Sequence, residues 1–280
     1  MKELILKRII PAALAALAFA LVLACFELTA SAQAPAPSSV VGVSPIVVEA
    51  VVESGGSLVA RFQITNRARS AQRVRCSLKD VWHERGQRTE AAPGTQPRSA
   101  SSWLRFNPSE LVVQPNSTAT VEAVVTLPKD AEGSYYTMPV FEISPVAEGR
   151  PGNTAAFVYR IQGRVVVTTA RGSNYSLNVV GGKVSAPTPS APLVLTLDLA
   201  NAGNTHLIPS VSFAVLDQSG RLVGRGKLPT KKLMPSEQAE LSGSWSGALP
   251  PGRYNVVSSV TYKAASDNKT VIKEITFAVP

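Results

Sequence analysis

Histidine is the side chain most often recruited to move protons near neutral pH, and this chain has two, His83 and His206. They lie in different halves, each beside a turn. No paired-His spacing, Cys-x-x-Cys, Gly-x-Ser-x-Gly or phosphate-cradling glycine loop accompanies them. Asp130 and Glu132 are close in sequence, but they fall in the loop from Leu127 to Gly133, where solvated turn residues are expected. An active site needs acid, base, nucleophile or metal ligands that converge. The expectation is a non-enzymatic chain with no catalytic residue, no metal ligand and no cofactor.

Charge offers binding chemistry instead. Arg67, Arg69, Arg73, Arg75, Lys79, Arg85 and Arg88 crowd one strand–turn–strand region. Arg73, Arg75 and Lys79 share odd parity, so one strand would present them on a single face. Such a strip suits an anionic cell-wall or exopolysaccharide polymer, or an acidic protein subunit. The other reading is a solvated outer face whose cations blunt an exposed edge strand.

The elements that position these residues read as strands. Pro and Gly are frequent (21 and 19), charged residues make up only 17%, and 45% of the chain is hydrophobic. Short strands joined by Pro/Gly turns give that mixture, with enough apolar mass to fill two cores. Its 280 residues suit two domains rather than one.

An internal repeat sharpens this reading. Leu58-Val59-Ala60-Arg61-Phe62-Gln63-Ile64-Thr65-Asn66 and Leu193-Val194-Leu195-Thr196-Leu197-Asp198-Leu199-Ala200-Asn201 both alternate from Leu-Val to an Asn, a turn residue that tolerates positive φ. Gly86 and Gly220 follow as hairpin turns, then strands ending at Pro115 and Pro235, then the corners at Tyr135 and Tyr254. A Tyr hydroxyl at such a corner can bond back to the backbone. The predicted fold is all-β: two tandem immunoglobulin-like β-sandwiches, residues 40–171 and 172–280, with Arg164 to Thr169 as the last strand of the first.

Residues 1–32 read as a secretory signal peptide: Lys2, Lys7 and Arg8, an apolar run from Ile9 to Cys25, then Ala30-Ser31-Ala32. A membrane anchor or a lipidated Cys25 are the alternatives. A Pro/Ala/Ser spacer, 33–39, follows. The net charge is +9; losing those three cations together with Glu3 and Glu27 leaves +8. The mature chain is expected in the periplasm or at the cell surface, without a transmembrane segment and without nucleic acid as a partner. Cys76 then stands alone, which rules out an intramolecular disulfide.

Val43-Ser44-Pro45-Ile46, Ile64-Thr65-Asn66, Trp103-Leu104-Arg105-Phe106-Asn107-Pro108, the stretch from Leu127 to Tyr136, and the strand from Met138 to Pro145 carry a family resemblance. On these residues the first domain resembles the N-terminal domain of periplasmic pilus chaperones of the PapD type. The resemblance implies assembly of pilus or other surface subunits by strand pairing. Arg164, Val165, Val166 and Val167, with the opening strand, would be the pairing edges. It also implies two basic residues holding a subunit's terminal carboxylate. The opening stretch from Val43 to Glu53 has no basic residue, and Arg164 lies near the second position. Asn201 to His206 and Leu249 to Tyr254 are similar to bacterial Ig-like modules, which points instead to a structural or adhesive surface module.

Overall fold

The computed structural model describes residues 41–84, 87–146 and 158–280. The expected signal segment, the spacer, Arg85 and the turn at Gly86 lie outside the described residues, as does the side chain of Arg88. Eighteen strands run in order: β1 Val41–Ser44, β2 Val47–Val52, β3 Ser57–Asn66, β4 Gln72–Glu84, β5 Gln87–Ala91, β6 Leu104–Asn107, β7 Glu110–Val113, β8 Ser117–Thr126, β9 Ser134–Pro145, β10 Tyr159–Gln162, β11 Arg164–Thr169, β12 Leu177–Ser185, β13 Leu193–Asn201, β14 Ser210–Asp217, β15 Leu222–Lys227, β16 Gln238–Trp245, β17 Gly252–Ala264 and β18 Asp267–Val279. The chain is all-β, in two immunoglobulin-like sandwiches. No helix among the described residues is long and apolar enough to cross a membrane.

The first sandwich packs a sheet ordered β1-β3-β8-β6 on one ordered β2-β11-β9-β4-β5, with β10 also on β9 and β7 also on β4. The second packs β12-β13-β16 on β15-β14-β17-β18. Period-two alternation drives both. Ala60, Phe62 and Ile64 point inward from β3, and Leu193, Leu195, Leu197 and Leu199 from β13, all buried. Phe62 meets Phe141 of the opposite sheet with ring centroids 5.2 Å apart. Each fully buried side chain of this size contributes about 1.5–3 kcal/mol.

The repeat is structural as well as sequential. Asn66 donates from Nδ2 to the carbonyls of Ser70, Val113 and Gln114 and accepts from the Ala68 N–H. Asn201 donates to Thr205 and Leu233 and accepts from Gly203. Both are buried staples tying a strand end to the segment that precedes the next proline. Positive φ occurs just after those prolines, at Asn116 (53°) and Ser236 (65°). The Tyr254 hydroxyl donates to the Pro250 carbonyl at 2.8 Å, while Tyr135 accepts from the Glu132 N–H at 3.3 Å.

Candidate functional site: a strand edge beside a cleft

The strands β10 and β11 continue one another through Gly163, and both pair antiparallel with β9. Their other edges differ. Along β11, β2 lies parallel in full register from Arg164↔Val47 to Thr169↔Val52. The Arg164–Val167 backbone is therefore bonded on both sides and offers no pairing edge, contrary to the sequence expectation. The parallel strand arises because the chain crosses between sheets at Pro45, so that β1 pairs with β3 and β2 with β11. Both strands of the opening segment lie at sheet edges, β1 beside β3 and β2 beside β11.

Besides β2, which ends this sheet, a second edge lies four residues before Arg164. Among the described residues β10 pairs with β9 and with no second strand. Gly163 N–H donates to Pro139 in β9 and Arg164 N–H to Ile46. Alternation then turns the Arg160 N–H and C=O away from β9. Around this edge Val158 is 54% exposed, Tyr159 50% and Ile46 51%. Such apolar exposure beside open backbone groups is what edge strands ordinarily avoid.

Where β10 ends, a cleft between the sandwiches begins. A cavity of about 330 Å³ is lined by Ile46, Val47, Tyr136, Met138, Arg164 and Lys232, among others. Arg164 Nη2 lies 3.1 Å from Glu49 Oε1, and Lys232 Nζ from the second sandwich lies 3.9 Å from the same oxygen. Burial, then the Arg164 charge, pushes the Lys232 ammonium down to about 8. One carboxylate thus faces two cations, a site with net positive charge that suits a further carboxylate.

Deeper in, the Tyr136 hydroxyl and His206 Nδ1 share a hydrogen bond of 3.2 Å. Burial first, and then Lys232, push the imidazole down to about 4, so it is neutral at pH 7. Burial raises the Tyr136 phenol. The two sandwiches are clamped at Asn204. Its carbonyl accepts from the Ser134 N–H at 3.0 Å, and its side chain bonds Gly172 O and Asn174 N–H at 2.7 Å each. Gly133 has φ +85°, and a Cβ there would lie 2.4 Å from the Asn204 carbonyl oxygen, so only glycine fits.

Among the described residues, the basic strip does not form one cationic surface. Arg67 and Arg69 sit exposed on the β3–β4 loop. Arg73 and Arg75 both reach Glu110, at 3.3 and 3.0 Å, and Lys79 reaches Glu90 at 3.3 Å. The shared face predicted for Arg73, Arg75 and Lys79 exists, but neighbouring strands set carboxylates against it. An anionic polymer therefore finds no support in this face. Beneath it, burial pushes the Cys76 thiol up to about 12, leaving it protonated and inert.

No family model matches the chain, and no curated protein matches it in sequence. Among solved structures, the Class 5 fimbriae chaperone CfaA is similar: 13% identity over 84% of this chain and 98% of that one, TM-score 0.49. A chain of the CsuC–CsuE chaperone–tip adhesion subunit complex from Acinetobacter baumannii shares 10% identity over 83% and 97%, TM-score 0.43. The chaperone YadV shares 10% over 86% and 100%, TM-score 0.41. Each of these is a similarity of fold at 10–13% identity.

Sequence reasoning reached Arg164, read His206 only as a histidine beside a turn, and missed Glu49 and Lys232. Glu49 and Lys232 stand in stretches whose local pattern is that of ordinary strand and turn residues. No spacing signal links positions that only packing between sandwiches brings together.

Proposed function

We propose that this chain is an exported, non-catalytic chaperone-like protein that holds an extended segment of a surface-structure subunit by β-strand pairing. The supporting observation is the open β10 edge, flanked by exposed Val158, Tyr159 and Ile46 and ending at a cation-lined cleft. An added strand shares the mixed main-chain and side-chain recognition of β-augmentation. It can run only as far as Gly163, because β2 takes over the edge at Arg164. A segment laid parallel to β10 therefore ends facing Arg164 and Lys232, which receive its terminal carboxylate.

Capture from the extracytoplasmic fraction by residues 33–280 tests this reading. Wild type should retain one β-rich subunit in near-equal amount. Arg160→Pro removes the outward N–H, a change edge strands accommodate, and should lose the subunit with the fold intact by circular dichroism. The exposed loop variant Arg67→Glu/Arg69→Glu should still retain it. Unchanged capture by the proline variant, or capture of envelope polymer alone, would defeat the proposal.

A further inference from the structure

The outer face of the β10-bearing sheet carries a row of charges that alternates in sign across four strands. Glu110 on β7 is registered with Arg75 on β4, Arg75 with Glu142 on β9, and Glu142 with Arg160 on β10. The outermost pairs are closed, Arg75 Nε to Glu110 at 3.0 Å and Arg160 Nε to Glu142 at 3.0 Å. The same device recurs on the other sheet, where Arg61 of β3 meets Glu122 of β8 at 2.9 Å. On β10 the row stops at a cation, at the edge where no described strand follows. The arginine side chain is 67% exposed there, and Glu142 engages only its Nε–H. A guanidinium has four further N–H groups.

A strand added at this edge lies about 4.8 Å away and places one side chain directly beside Arg160 on the same face, whichever direction it runs. Opposite charges in that position stabilise and like charges destabilise. On either side of Arg160, Tyr159 and Ile161 turn to the inner face. Ile161 packs on the core cluster and Tyr159 is half exposed, so both extend the apolar layer towards a newcomer.

We infer that the segment received at β10 carries an acidic side chain opposite Arg160, between two apolar residues that cover Tyr159 and Ile161. This rests on the strand-pairing reading and adds the partner's local chemistry: the fifth member of the charge row.

Synthetic peptides with alternating apolar and polar residues, differing only in Glu, Gln or Lys at the central outward position, test it by fluorescence anisotropy against the mature chain. Affinity should fall in the order Glu, Gln, Lys, with about three- to tenfold between the extremes, and the spread should narrow at high salt. In Arg160→Glu the order should reverse; in the milder Arg160→Gln it should flatten. Peptides that bind wild type and both variants with one unchanged order overturn the inference and leave the open edge standing. If no peptide binds wild type at all, the strand-pairing reading fails and takes the inference with it.

Discussion

Lys232 is held where a cation is costly. Its ammonium is pushed down to about 8 from the 10.5 of a free lysine, by burial first and then by Arg164. The folded chain therefore binds this proton less well than the unfolded chain. At pH 7 both states are protonated and the fold bears the full penalty, which disappears as pH rises from about 8 towards 10.5. Lys232→Met should accordingly raise stability at pH 7 by about 1–2 kcal/mol, discounted for partial solvent screening, or a few degrees in Tm. The gain should shrink above pH 8, while capture of a segment with a free terminal carboxylate weakens. A fall in Tm at pH 7 would show that the ion pair with Glu49 outweighs the burial. Asp80 represents the opposite solution. Burial alone would raise its carboxyl, but bonds from Ser101, Ser99 and the Gln96 N–H outweigh that and hold it below the usual range.

At the scale of the strand, the repeated asparagines fix where β3 and β13 end. Asn66 is fully buried, and its amide is the donor to three backbone carbonyls. Asn66→Ala leaves those groups without that donor and should cost about 2–3 kcal/mol in urea unfolding, with Asn201→Ala costing a similar amount in the second sandwich. A loss below about 0.5 kcal/mol at both sites would mean that water replaces the amide and that the staple is incidental. The alternation of β3 and β13 is legible in the sequence because one face of each strand meets a core. The pairing of β11 is not, since its four consecutive residues Arg164 to Val167 read equally well as an edge or an interior strand. Crossing over at Pro45 decides the matter by laying β2 alongside it.

Across the whole molecule, the two sandwiches meet through the Asn204 clamp, the Tyr136–His206 bond and the Lys232–Glu49 pair. His206 makes that junction sensitive to acid. Its folded pKa of about 4 lies below the 6.5 of a free imidazole, through burial first and the Lys232 charge second. Between those values the unfolded chain holds the proton and the folded chain does not, so stability falls as pH drops from about 6.5 to 4 and levels off below. Thermal unfolding should show a loss of about 2 kcal/mol across that window beyond what His206→Gln shows. Identical profiles for the two chains would remove His206 from the pH response. The Asp80 contribution is lost only below the ordinary carboxylate range, so the two effects separate on the pH axis.

By itself the sequence determined the layers and their count, because period-two burial, proline-ended strands and a repeated Asn are local patterns that record which side chains face a core. It also placed Arg73, Arg75 and Lys79 on one face, since parity along a strand is fixed by backbone geometry. Tertiary structure alone decided that Glu110 and Glu90 pair with the cations of that face, that β2 and β10 rather than β11 lie at the sheet edge, and that Arg164 and Lys232 meet at Glu49. Those facts depend on register and on packing between sandwiches. Neither is set by neighbours in the chain, because partners as distant as Arg164 and Glu49 meet only after the strands have chosen their sheets.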